Sequence, residues 1–421
     1  MLENIDKRKL LIWVIIIVAL LLIGYVFYLA FRSEPIVTPP GNQNLPIGNL
    51  PTIGPGNVNI GEGPGNVNLP GITNVPTRPG TIEQPSPVAA GGPTSTPVLT
   101  RDQTLAPQST PGGLTRFYSR NDGIFYDFTA DGTRQALTTL PYYDVQKVTW
   151  SPTASSAILE FPDGANILYD FNQQKQYTLP QEMTDFSFAP SGSDIAGKFL
   201  GEQESDKWLV TVGSDGSNLK GIEPLGANAD RVQVAWSPNN QVVALSLTGE
   251  PSGLFNQEVL LIGLHGENFK SLQVEGRGFE ARWSADGQKL LYNVYSDTTD
   301  YLPNLYLVNA SGNDIGFNKQ SLGLATWVDK CVVSQLEAAA YCAVPQNLPA
   351  GSGYVRELAY GVPDAFYRVD LTTGTNTLIA NPLAEEGRQV SATSLTLSSD
   401  GRILYFVDEL TSQLRSLQLA P

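Results

Sequence analysis

Histidine is almost missing from this chain: His265 is the only one in 421 residues. A His-based catalytic triad is therefore confined to one position, and zinc sites built from several histidines are excluded. The setting of His265, "LHGEN", reads as a solvated turn. No G-x-S-x-G nucleophile elbow occurs anywhere in the chain. Positive charge is also scarce, with 26 Lys and Arg against 41 Asp and Glu and a formal net charge of −15. No Lys/Arg cluster appears beyond the first nine residues, so nucleic acid, which needs clustered positive charge, is not an expected partner. The oxygen-rich stretches "GSDGSN" and "NASGND" lack the D-x-D-x-D-G order with a distant Glu that a calcium loop needs, and they read as hairpin turns. No cofactor and no metal are expected.

What is present falls into zones. Residues 10–31, "LLIWVIIIVALLLIGYVFYLAF", form an uncharged apolar run long enough to cross a hydrocarbon core of roughly 30 Å. Trp13, Tyr25 and Tyr28 suit its two interfaces. A cleaved signal peptide is the alternative, but it calls for a shorter apolar core and a small-residue cleavage site, whereas Phe31, Arg32, Ser33 and Glu34 follow here. Lys7, Arg8 and Lys9 precede the run and only Arg32 closely follows it. The expected arrangement is a cytoplasmic tail (1–9), one transmembrane helix (10–31) and an extracytoplasmic remainder at the cell membrane. Residues 32–112 are dominated by Pro, Gly, Asn and Thr, with the near-repeat "PGNVNIGEG" and "PGNVNLPGI". Such a composition buries no core, so this zone is expected to be a disordered stalk, or else a tail without a spacing role. Eighty residues of polyproline II reach at most about 250 Å at ~3.1 Å each.

From 113 to 421 one motif recurs: Trp150-Ser151-Pro152, Phe188-Ala189-Pro190, Trp236-Ser237-Pro238, Trp283-Ser284-Ala285 and Leu397-Ser398-Ser399, with a degenerate copy at Val333-Ser334-Gln335. The anchors Trp150, Phe188, Trp236, Trp283, Val333 and Leu397 are separated by 38, 48, 47, 50 and 64 residues, mostly close to the ~40 to 50 residues of one propeller blade. Short apolar strands such as "VVALSL" and "VLLIGL" follow each anchor, bounded by Gly, Asn, Asp and Ser turns. A serine present in five of six copies is punctuation rather than a nucleophile. The aromatic residue is expected to wedge between blades, and the Ser to bond the backbone where the chain reverses.

These residues resemble the TolB-type, WD-like β-propeller repeats, whose unit reads approximately W-S-P-D-G followed by an apolar strand. The resemblance covers about the last 300 residues and implies an all-β propeller of six or seven four-stranded blades. "TRFYS", "GIFYDF" and "TRQALT" from Thr115 to Thr138 either complete the last blade of six or form a reduced seventh, with seven the preferred count. A Tol-system role is not implied, because a membrane segment and stalk stand where the TolB protein carries an α/β domain. The sialidase Asp-box, S-x-D-x-G-x-x-W, is not matched by "SADGQ" or "SSDGR".

Cys331 and Cys342 flank the degenerate anchor. If Val333 faces Ala340 across the hairpin, the two cysteines are directly opposite, at a separation a disulfide can span. Two buried thiols are the alternative. Turns after the anchors are short, whereas loops between second and third strands are long and lie on the opposite ring face, the longest running from Pro345 to Asp364. That face is expected to gather Tyr142, Tyr143, Tyr295, Asp297, Asp300, Tyr301, Tyr354 and Tyr360, either as a binding surface or as packing over the blade ends. A closed ring does not need the longest insertion. Two functions follow: a membrane-tethered, non-enzymatic scaffold binding an envelope protein or glycan, and, alternatively, a glycan-binding or glycan-processing protein using acidic residues at the propeller mouth.

Overall fold

The computed structural model describes residues 84–129, 132–250 and 252–420. The expected cytoplasmic tail, membrane segment and most of the stalk lie outside them. Among the described residues no helix is long and apolar enough to cross a membrane. The strands form seven sheets, five of them antiparallel meanders in chain order and two, blades 6 and 7, joined by strands from the start of the described chain, and together they make a seven-bladed β-propeller. Blades 1 to 5 begin at the inner strands Thr104–Ser109, Lys147–Trp150, Met183–Phe188, Val232–Val234 and Arg277–Trp283. Blades 6 and 7 begin at Cys331–Val333 and Ala392–Leu397.

The apolar core is divided, and the division explains the repeat. Seven clusters of buried side chains occur among the described residues, and each spans two adjacent blades. Every anchor packs onto the blade before it: Trp150 among Tyr118 and Phe125, Phe188 among Ile158 and Leu168, Trp236 among Ala196 and Leu209, Trp283 among Val242 and Leu261. Val333 and Leu397 do the same with less surface. Two indoles add a polar tie across the interface, Trp150 Nε1 donating to Ala106 O at 2.7 Å and Trp283 Nε1 to Ala235 O at 2.9 Å. The motif serine binds its own turn. Ser237 Oγ accepts from the Gln241 and Val242 N–H groups, and Ser284 and Ser398 accept from Lys289 and Ile403 while donating to Asp286 and Asp400. Gly287 is required where it stands: its φ is 66°, and a Cβ there would meet Asn239 N of the preceding blade's turn at 2.7 Å.

The first described residues correct the expected domain boundary. Residues 32–112 read as stalk, yet Pro93–Ser95, Val98–Thr100 and Thr104–Ser109 are strands. The last is the inner strand of blade 1, so "TRFYS" belongs to a complete four-stranded blade rather than a reduced one. Val98–Thr100 is the outer strand of blade 7, and Pro93–Ser95 adds a parallel fifth strand to blade 6. The N-terminal strands thus complete the last blade and also begin the first. Pro93–Ser95 and Val98–Thr100 are three residues each with partners about 300 residues away, and Thr104–Ser109 is interrupted by a proline and a bulge, so no local periodicity marks them. Ser109-Thr110-Pro111 is a seventh copy of the turn with Ser at the anchor position, and Thr110 Oγ1 accepts from Leu114 N–H as the motif serines do. A buried clasp holds the closure: Arg415, 2% exposed, pairs with the fully buried Asp408 at 2.9 Å and donates to Thr96 O at 2.9 Å.

Cys331 stands opposite Cys342 in the first hairpin of blade 6, with Val333 opposite Ala340, and the two sulfurs are bonded across a Cα separation of 4.0 Å.

Two outcomes test this account. Trp283→Ala is expected to cost about 3 to 5 kcal/mol in chemical denaturation, and Trp283→Phe only about 1, since the phenyl ring keeps most of the packing and loses the N–H bond. A chain starting at residue 84 is expected to melt cooperatively. One starting at 113 lacks both closing strands and should show no cooperative transition by circular dichroism.

Candidate functional site

The long loops and the inter-blade links share one ring face, because each four-stranded meander returns the chain to the side from which it entered. Three of the predicted tyrosines meet there. Tyr295 ends the second strand of blade 5, Tyr301 follows the short 3-10 helix Asp297–Thr299, and Tyr354 comes from the insertion of blade 6. Ring centroids lie 6.4 Å apart for Tyr295 and Tyr301 and 6.1 Å apart for Tyr295 and Tyr354. Phe255 of the blade 4 loop completes the group, 6.1 Å from Tyr301. Three blades therefore contribute to one aromatic surface, on which Tyr354 is 74% and neighbouring Leu254 74% exposed. Phe255 and Leu254 were not expected; the signal was the apolar pair in the otherwise polar "TGEPSGLFNQ".

Backbone geometry fixes this surface. Asp300 and Tyr301 both adopt left-handed conformations, with φ of 52° and 56°. Their carbonyls accept hydrogen bonds from Gly351 and Gly353 of the insertion at 2.9 and 2.7 Å. Gly353 can have no side chain, since a Cβ would lie 2.6 Å from Tyr301 O and 2.7 Å from Tyr295 Cβ. Arg277 Nε donates to Leu254 O at 2.6 Å and ties the blade 4 loop to blade 5. Asp297 is exposed and supplies the acidic start of the 3-10 helix.

The remaining candidates lie elsewhere. Tyr142 is a packing residue in the link from blade 1 to blade 2, its ring edge-on to Tyr169 at 5.7 Å and its hydroxyl on Gln176. Tyr143 beside it is 61% exposed, three blades from the cluster. Tyr360 lines a separate recess of about 520 Å³ with Trp327, Lys330, Arg356 and Glu409. Around that recess the insertion is a fastened cover rather than a free loop. Arg356 pairs with Asp329 at 2.6 Å and lies over the Trp327 ring, and Gly361 N–H donates to Glu409 of blade 7. Ser352 within it is fully buried.

Electrostatics at this mouth are unevenly solvated. Burial raises the Glu280 carboxyl, the field of Asp329 raises it further, and Arg356 draws it back. Asp364, fully enclosed, is pushed up by burial to about 6 although Lys330 pairs with it at 2.9 Å and Ala392 N–H donates to it. Among the described residues no group of three or more His, Cys, Asp or Glu is placed to hold a metal ion.

Two solved structures of oligogalacturonate lyase share the ring. One, in complex with manganese, is 12% identical over 74% of this chain and 88% of its own, with a TM-score of 0.51. The other, from Vibrio parahaemolyticus, is 10% identical over 76% and 92%, with a TM-score of 0.52. Identity this low shows the fold alone. No protein-family model matches the chain, and no curated protein matches it by sequence.

Asp364 generates a pH prediction. Its carboxyl rises from an ordinary 3.8 to about 6 on folding, so between these values the folded state holds the extra proton and gains stability as pH falls. The unfolding free energy of the wild type minus that of Asp364→Asn should therefore increase from pH 7 to pH 4. Denaturant titrations across that window check it, and a flat difference contradicts it.

Proposed function

We propose that this chain is a membrane-tethered binding scaffold of the cell envelope, built on TolB-type repeats, which displays its propeller outside the cytoplasm and takes a protein partner on the aromatic surface of blades 4 to 6. The convergence of Phe255, Tyr295, Tyr301 and Tyr354 from three blades carries this reading. Tyrosine gives large contact area with a polar end and suits an interface that is wet when empty. The consecutive left-handed residues Asp300 and Tyr301 support it too, because such conformations persist where the surroundings over-determine them and they cluster at functional sites. The apolar run 10–31, with Lys7, Arg8 and Lys9 before it, supports the tether and its orientation.

A second reading, glycan binding or processing, is favoured by a different observation. Glu280 is a solvent-reachable carboxyl on the channel side of blade 5, raised by partial desolvation and by the field of a second carboxylate, Asp329, a direction that suits a general acid. The ring shared with oligogalacturonate lyases is compatible with either reading.

Capture from envelope membranes by the full-length chain distinguishes them. Tyr354→Ala and Tyr301→Ala should each weaken capture about tenfold, the effect of losing ~1.4 kcal/mol at an aromatic anchor, with Tyr143→Ala unchanged. Protease treatment of the membranes should abolish capture of a protein partner and spare that of a glycan. Capture unaffected by either cluster substitution overturns the assignment of this surface.

A further inference from the structure

We propose that the opposite, short-turn mouth of the central channel is an oxyanion site, in which Arg282 receives the carboxylate or phosphate group of a small molecule. This is independent of the long-loop face. Along the inner strand Arg277–Trp283, Phe279, Ala281 and Trp283 are buried against blade 4, while Glu280 and Arg282 keep contact with solvent. Arg282 lines a cavity of about 450 Å³ bounded by inner strands and turns of blades 1, 2, 5, 6 and 7. Gln108, Thr110, Ser334, Gln335, Thr396 and Ser398 are in its wall, and Arg282 is the one charged residue there. A volume of that order suits a ligand of monosaccharide or amino-acid size.

The state of the guanidinium makes this a site rather than a void. Among the described residues the Arg282 side chain makes no hydrogen bond and no ion pair. Five other arginines of the fold are paired, Arg116 with Asp127, Arg356 with Asp329, Arg368 with Glu337, Arg388 and Arg415 with Asp408, while Arg402, next to Gly401 of the cavity wall, is exposed to open solvent. Asp329 reaches Arg282 only through its field, and its Oδ2 is already taken by Arg356 at 2.6 Å. Burial disfavours the charge on Arg282. Its five fork-arranged donors are matched by a planar carboxylate or by a phosphate, and no carboxylate in the cavity wall competes for them. In a chain of net charge −15, Arg282 is an unshared cation set within a cavity wall that holds no other charge. Hydroxyl and amide side chains of three blades, 1, 6 and 7, stand around the cavity to complete an oxygen shell.

Thermal melts of the full-length chain in sodium phosphate or sodium acetate, against sodium chloride at equal ionic strength, test the proposal. Ligands that bind only the folded state raise the melting temperature saturably. The wild type should show that rise with at least one probe, phosphate alone marking phosphoryl ligands and acetate alone marking carboxylates, and Arg282→Gln should lose it. A rise kept by Arg282→Gln, or none with either probe in the wild type, overturns the proposal and leaves water as the occupant. If Arg282→Gln does not fold, phenylglyoxal modification of the wild type followed by peptide mapping gives the answer without a variant. Protection of Arg282 by the responding anion is expected, and equal labelling with and without it is the contrary result.

Discussion

Each blade of this protein has two apolar faces and only its neighbours to cover them. A four-stranded sheet that buries Trp283 and Phe279 on one side and Leu291 and Leu305 on the other is stable only between two others, so the fold depends on the ring closing. Closure occurs between blades 7 and 1, where Phe117 and Tyr126 meet Tyr405 and Leu414. No large anchor works at that interface, since blade 1 carries Ser109 where blades 2 to 5 carry Trp or Phe and blades 6 and 7 carry Val333 and Leu397. Strand exchange compensates. The chain threads from blade 6 to blade 7 to blade 1 within residues 93–109, and Arg415 clasps the passing backbone at Thr96. A buried ion pair of this kind is weak evidence of net stability but costly to break from one side.

The same constraint separates the two ring faces. On the short-turn face the chain must reverse within a few residues beside its neighbour, which the Ser-x-Asp hydrogen bonds and Gly287 accomplish. Few alternatives fit there. On the other face the loops are free to lengthen, and blades 4, 5 and 6 have used that freedom to build an aromatic surface and a fastened cover. The proposed surface on the long-loop face is made of added chain. The proposed site on the short-turn face is made of what the inner strands leave unpaired in the channel.

Much of the architecture was legible because it is locally encoded and repeated. Trp236-Ser237-Pro238 and its relatives state blade boundaries, turn chemistry and strand order within a dozen residues. The hairpin pairing that sets Cys331 beside Cys342 is likewise a count along one short segment. The stalk boundary was misplaced because Thr104–Ser109 and Val98–Thr100 have neither period nor anchor, and they become strands only against edges supplied by residues Arg116 and Arg415. Four inner strands also carry a bulge at a left-handed residue, Ala106, Asp185, Gly278 and Ser394. Three of these are not glycine, so composition gave no sign of them.

Among the tyrosines the division is the same. Sequence alone determined that long loops rich in Tyr lie on one face, because the up-and-down meander assigns every second-to-third-strand loop to one side. It could not say which of them meet. Tyr295, Tyr301 and Tyr354 converge while Tyr142 and Tyr143 lie three blades away, since distance around a ring depends on blade count and on where the insertion folds. Asp329 taking Arg356 and leaving Arg282 without a partner is likewise a product of assembly. Those residues lie on different elements, and only the closed ring brings their charges within reach of one another.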